Sequence, residues 1–188
     1  FGAWSFDLAP NRRGSSGADL RDEFAQGRQG VGRALYRRAS ARAGGLRPML
    51  VHATTVDISG CGVLLMGASG AGKSDLALRL IADGALLVAD DQTFVEFVDG
   101  CLRASAPGHI AGLIEVRGIG LLPAPAKAAT RLRLAVQLVQ VAPERMPEPQ
   151  TWSLPGGAGP NLPLVRLMPF EASAPHKLRH ALAIVPNA

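Results

Sequence analysis

Gly67-Ala68-Ser69-Gly70-Ala71-Gly72-Lys73-Ser74 is a complete G-x-x-x-x-G-K-[ST] phosphate-binding loop. Glycines let such a backbone curl so that successive N–H groups face one anion, and the following helix adds its positive N-terminal end. In this pattern Lys73 reaches the outer phosphates and Ser74 holds Mg²⁺. A second chemical pair, Asp90-Asp91, follows the next apolar segment, with Asp91 seventeen residues beyond Ser74. Phosphoryl transfer is mostly positioning and charge neutralisation, and two adjacent carboxylates can divide that work. One assists the metal while the other accepts the nucleophile's proton, a contribution of about 10²–10⁴ in rate. These residues predict a site for a nucleoside triphosphate.

The elements that must position them follow from periodicity and turn chemistry. Leu50 to Ile58 reads as a strand, Gly60-Cys61-Gly62 as a turn and Val63 to Met66 as the buried strand that feeds the loop. Asp75 to Asp83 reads as a helix, with Leu76/Leu80 and Ala77/Ile81 at i,i+4 spacing and Gly84 as its left-handed cap. Ala85 to Ala89 is a short strand that ends in Asp90-Asp91. Thr93 to Val98 and Cys101 to Ala104 flank Asp99-Gly100, a strong hairpin signal. Leu113 to Val116 is a further strand, and Arg131 to Val141 begins with the alternation of a half-exposed one. Residues 142–170 are rich in proline and read as loop, and Pro175 to Ile184 reads as a closing helix with Pro in its first turn. Strands dominate around one phosphate-binding helix, which predicts a mixed α/β domain.

Charge narrows the partners. Residues 1–48 hold nine arginines against four acids, which accounts for the whole net charge of +5, while residues 49–188 are balanced. The folded part therefore shows no basic face of a nucleic-acid binder. The Arg/Gly-rich leader is expected to be disordered or loosely helical, or to be upstream sequence outside the natural protein, so that the domain proper runs over 49–188. Cys61 and Cys101 lack the paired spacing of a zinc site and read as small buried hydrophobes. No apolar run approaches the roughly 18 residues of a membrane span, and no secretory h-region is visible. A reduced cytoplasmic compartment is the expected setting.

The blocks Val51-His52, Gly62 to Ser74 and Leu87-Val88-Ala89-Asp90-Asp91 resemble the catalytic domain of HPr kinase/phosphorylase. Ile114-Glu115-Val116-Arg117-Gly118-Ile119-Gly120 resembles that family's E-[IV]-R-G-[IL]-G signature. The likeness spans about Met49 to Leu122. It implies a P-loop-containing mixed sheet of the HPr kinase/phosphoenolpyruvate carboxykinase type. It implies an ATP- and Mg²⁺-dependent kinase acting on a seryl residue of an HPr-like phosphocarrier in a phosphotransferase system. The reverse reaction would be phosphorolysis by inorganic phosphate, and the implied assembly is a hexamer. By the same likeness Gly67 to Ser74 bind ATP, Ser74, Glu115 and Asp90 serve the metal, Asp91 is the acid/base, and His52 and Lys73 stand at the active site.

Three departures accompany the resemblance. The family's longer members carry a separate N-terminal domain, which the leader does not match, so the chain fits the short, catalytic-domain-only versions. Arg145 is the nearest match to a catalytic arginine that follows the signature, and a solvated loop arginine is an equal reading. Leu162 to Pro169 stands where longer members have a basic P-V-R-P-G-R-N loop, which bears on the phosphorylase activity and on partner docking more than on the kinase activity. Two other classes of function are open to the residues themselves. One is a small-molecule or carboxykinase-like P-loop enzyme, and the other is a non-catalytic ATP-sensing module.

Overall fold

The computed structural model describes residues 47–185. The expected leader lies outside the described residues, apart from Arg47 and Pro48. The first strand, β1 (Met49–Val51), is separated by a bend at His52 from β2 (Ala53–Ile58). The single strand expected over 50–58 is therefore two, and the break gives each its own partner. β1 pairs with β5 (Thr93–Val98), while β2 pairs with β3 (Cys61–Met66) and β4 (Leu86–Ala89). The turn before β3 is Ser59-Gly60, both at positive φ, so Cys61 and Gly62 belong to the strand. Gly62 is demanded by packing. A Cβ there would stand 2.7 Å from the Arg131 carbonyl oxygen, closer than real contacts allow, where β3 meets the long strand β9 (Ala129–Leu138).

Helix α1 (Lys73–Ala82) starts two residues earlier than its hydrophobic pattern suggests, because Gly72 takes the N-cap position with φ 89°. It ends as expected. Gly84 is left-handed, its N–H donates to the Ile81 carbonyl, and the Ala85 N–H donates to Leu80 at 2.9 Å, closing the orphan carbonyls of the last turn. β5 and β6 (Cys101–Ser105) form the predicted hairpin, with Asp99 and Gly100 both at positive φ as a tight primed turn requires. β7 (Leu113–Val116) matches its expectation and pairs with β8 (Gly120–Pro123), which the sequence pattern had not shown.

β9 explains the change of pattern along residues 129–138. Its start alternates between buried and more exposed residues where β6 and the beginning of β3 flank it; from Leu134 to Val136 it is buried continuously, where β3 runs parallel on one side and β11 (Leu162–Leu167) joins on the other from Ala135. The region 142–170 is thus not all loop. β10 (Gln150–Trp152) and β11 form an antiparallel pair inside it, and Pro163 stands near the start of β11, ahead of the residues that pair with β9. Helix α2 (Ala174–Ile184) closes the chain, with Pro175 in its first turn.

The sheet order β1-β5-β6-β9-β3-β2-β4 carries a core on each face. Val63 and Leu65 point with Val56, Leu134 and Val136 toward Leu76 and Leu80 of α1 and Leu178 of α2. Leu64, between them on β3, points to the opposite face with Val95, Leu102, Leu132, Leu154 and Leu162. The phosphate loop therefore leaves the sheet at a strand anchored on both sides. Cys61 and Cys101 are unpaired and half-buried rather than buried. Among the described residues no helix is long and apolar enough to cross a membrane.

Asp57 ties β2 to Lys127, which precedes β9, by an ion pair and to Thr130 within β9 by a hydrogen bond. Burial alone would raise the pKa of the Asp57 carboxyl, but hydrogen bonds from Lys127, Thr130 and the Gly60 N–H, with the Lys127 charge, outweigh it and hold the group below its ordinary range. A carboxyl with a depressed folded pKa adds stability above its unfolded pKa and loses it as pH falls through the folded value. Asp57→Asn should cost about 1–3 kcal/mol at neutral pH by leaving donors short of their acceptor. Urea unfolding at several pH values checks this: the gap between the two proteins should shrink as pH falls through the lowered Asp57 pKa.

Candidate active site

The loop between β3 and α1 wraps the Lys73 ammonium. This side chain is 4% exposed and donates to the carbonyls of Gly67 and Ala68, both at 3.1 Å. Gly70 and Gly72 are left-handed, which brings the loop's peptide groups around one centre. Ser74 follows at the first turn of α1, and its hydroxyl donates to Asp90 Oδ1 at 2.8 Å. Negative charge is favoured at this helix end, where the first N–H groups lack intrahelical partners.

Asp90 and Asp91 directly follow β4 and differ in their surroundings. Asp90 is buried, and its oxygens are filled from three elements: Thr54 Oγ1 of β2 and Ser74 Oγ of α1 donate to Oδ1, each at 2.8 Å, and the Glu115 N–H of β7 donates to Oδ2 at 2.9 Å. Asp91 is 61% exposed and sits at φ 61°, an uncommon conformation for a residue with a side chain. The turn is closed by Gln92 N–H donating to the Asp90 carbonyl at 2.7 Å. It is held from β2 on both sides of the Asp91 peptide: the Asp91 N–H donates to Thr54 Oγ1 at 3.2 Å, and the Ala53 N–H donates to the Asp91 carbonyl at 3.1 Å. Strain of this kind persists only where the surroundings over-determine it.

The result is that Asp91 is aimed at the phosphate loop. Its Oδ1 lies 3.7 Å from Lys73 Nζ and 3.4 Å from His52 Nδ1. His52 Nε2 lies 3.1 Å from Lys73 Nζ; an ammonium only donates, so Nε2 accepts and the ring proton sits on Nδ1, facing Asp91. His52 reaches this place because the chain bends between β1 and β2, which is the break that the strand reading passed over.

β7 supplies the other wall. Ile114 is buried in the core, so the alternate residue Glu115 faces outward into the cleft. The β7–β8 turn, permitted by Gly118 and Gly120 at positive φ, carries Arg117 into the same cleft. The cleft has a volume of about 340 Å³ and is bordered by Ser69, Gly70, Gly72 to Asp75, Leu78, Asp91, Glu115 to Arg117 and Phe170. Arg145 is exposed in the segment between β9 and β10 and does not line it. The arginine in the cleft is instead Arg117, visible within the signature but given no role by spacing alone. Thr54 was missed as well, since a threonine in a strand carries no chemical signal.

Among the described residues no three His, Cys, Asp or Glu side chains converge as a ready-made metal cage. The donor set nevertheless fits Mg²⁺ of the kind completed by substrate phosphates and water, which needs only one or two protein oxygens. Ser74 Oγ and Glu115 border the cleft, with Asp90 behind Ser74.

The HPr Serine kinase C-terminal domain family matches residues 47–149, more than half of the chain. The chain belongs to this family. Among curated relatives, the HPr kinase/phosphorylase of Clostridium novyi (strain NT) is 46% identical over 76 residues, 40% of this chain and 25% of that protein. That of Clostridium tetani (strain Massachusetts / E88) is 44% identical over 75 residues, with the same shares. The chain thus spans about a quarter of the length of these relatives. The solved Hpr(Ser) kinase/phosphatase from Coxiella burnetii superposes with a TM-score of 0.61 at 27% identity, covering 72% of this chain and 88% of that one. The mixed α/β sheet with its phosphate loop is accordingly the fold of this family.

The Thr54 hydroxyl is the joint between the two aspartates, donating to one and accepting from the other. Thr54→Val should lower stability by about 1–3 kcal/mol, because a buried carboxylate oxygen and an amide N–H both lose a partner. Thr54→Ser should retain most of it. Denaturant midpoints of the two variants provide the comparison.

Proposed function

We propose that this chain is an ATP- and Mg²⁺-dependent kinase of seryl residues on a small HPr-like phosphocarrier protein, with a catalytic domain over residues 49–188. The observation that carries this reading is Asp91: its strained backbone holds an exposed carboxylate 3.7 Å from the phosphate-loop lysine, with Glu115 on the same cleft. A nucleotide sensor has no need of such a group. The names of the relatives point the same way, since those proteins are called HPr kinase/phosphorylase and Hpr(Ser) kinase/phosphatase.

In the forward direction Gly67 to Ser74 bind the ATP phosphates, and Lys73 turns from the loop carbonyls toward them. Ser74 and Glu115 would hold Mg²⁺, positioned by Asp90, and the ion would neutralise charge on the transferring group. Asp91 takes the proton of the target serine as its oxygen attacks the γ-phosphorus and ADP leaves. His52 keeps the Asp91 carboxylate oriented. Arg117 is placed to offset charge developing on the phosphoryl oxygens, the role that the family resemblance had implied for Arg145. In the dephosphorylating direction inorganic phosphate takes the place of ADP: its oxygen attacks the phosphoserine phosphorus, the P–O bond to serine breaks, Asp91 gives its proton to the departing serine oxygen, and pyrophosphate is the product. The altered region Leu162 to Pro169 is largely strand β11, so any partner contact there differs from a basic loop. A hexameric assembly and a cytoplasmic setting belong to the same proposal.

Asp91→Asn should lower phosphoryl transfer to a phosphocarrier by about 10²–10⁴-fold while ATP still binds. Equal loss of transfer and binding would sink the assignment of Asp91 as base. Lys73→Ala should instead weaken ATP binding itself, because Lys73 meets phosphates in the ground state. Arg117→Ala should reduce kcat by about 10²-fold or more, while Arg145→Ala should stay near the parent rate. Assays against seryl phosphocarriers and a panel of small acids, with labelled ATP, would separate this activity from a small-molecule kinase.

A further inference from the structure

Phosphoryl transfer makes no use of the cleft's one aromatic ring, that of Phe170. It follows β11 and lies across the phosphate loop: a Cβ on Gly72 would stand 2.9 Å from Phe170 Cζ and 3.0 Å from Pro169 Cγ. The ring is 62% exposed and borders the cleft together with Leu78, another exposed apolar side chain. Ser74 and Leu78 are i and i+4 on α1, so the apolar border continues along the helix face that begins at the phosphate site.

The turn that presents the ring is clamped. The Arg79 guanidinium donates to the Pro169 carbonyl and, at 3.2 Å, to the Glu171 carbonyl, gripping the peptides on either side of Phe170. Asp75 holds the same guanidinium from α1 at 2.8 Å, and Lys177 of α2 pairs with Glu171. An exposed phenylalanine gains nothing from burial, yet this one is fixed at a set distance from the loop. A rigid apolar ring beside a phosphate cradle matches the needs of a stacked nucleobase, because every base offers a π-face. The cleft volume of about 340 Å³ lies in the range of small-molecule sites.

We propose that Phe170, supported by Leu78 and the Arg79 clamp, is the platform on which the base of the bound nucleoside triphosphate stacks. The inference rests on the ATP reading above and adds the second half of the ligand to it. A phenyl face carries no hydrogen-bond code, so this contact tolerates adenine and guanine alike.

The test compares binding of ATP and of inorganic tripolyphosphate, each with Mg²⁺, by calorimetry on the full chain. Phe170→Ala should weaken ATP by roughly 10-fold and leave tripolyphosphate unchanged. Phe170→Leu, which keeps an apolar side chain against Gly72, should behave like Phe170→Ala, whereas Phe170→Tyr should bind ATP like the parent. Parallel losses for both ligands, or no loss for ATP, would overturn the platform while leaving the phosphate site standing. A parent protein that binds neither ligand would overturn both the platform and the ATP reading.

Discussion

The buried carboxylate of Asp90 is the interaction on which the rest of the site depends. A charge removed from water is costly unless its lone pairs are filled. Here they are filled by Thr54 of β2, Ser74 of α1 and the Glu115 amide of β7, three elements far apart in the chain. None of these donors can move without leaving the carboxylate short. The end of β4, the start of the phosphate-loop helix and the signature strand are thereby held to one point.

From that point the roles of the two aspartates separate. Asp90 cannot serve as an accessible base, because its oxygens are already occupied by protein donors. Asp91, next in sequence, is turned the other way by a left-handed backbone and remains open to solvent. The same Thr54 hydroxyl that donates to Asp90 accepts the Asp91 amide, so the geometry of the exposed acid is tied to that of the buried one. Two identical side chains at adjacent positions thus become one buried and hydrogen-bonded, the other exposed beside the phosphate loop, and the difference lies wholly in what surrounds them.

Much of this frame was legible in the chain. The phosphate loop, the Schellman-type end of α1 and the Asp99-Gly100 hairpin depend on contacts within a few residues, which spacing and turn chemistry express directly. The readings that failed involved non-local partners. Residues 50–58 form one apolar run, yet β1 and β2 pair with different strands and the bend at His52 follows from that. The stretch 142–170 looked like loop because of its prolines. β11 is nevertheless a strand, because the open side of β9 offers Leu164 to Leu167 a partner that only exists after folding.

Local pattern therefore sufficed for the phosphate-loop motif, the mixed α/β class and the candidacy of Asp90 and Asp91, and the likeness to a family signature added Glu115, since each is a contiguous motif that can be read without its distant neighbours. Which aspartate is exposed, which arginine enters the cleft, that Thr54 joins the two aspartates, and that His52 and Phe170 meet the phosphate-loop residues were decided by tertiary structure. Hydrogen bonds and ring contacts between residues dozens of positions apart leave no periodic trace in a chain. They arise only when strand pairing brings those positions together.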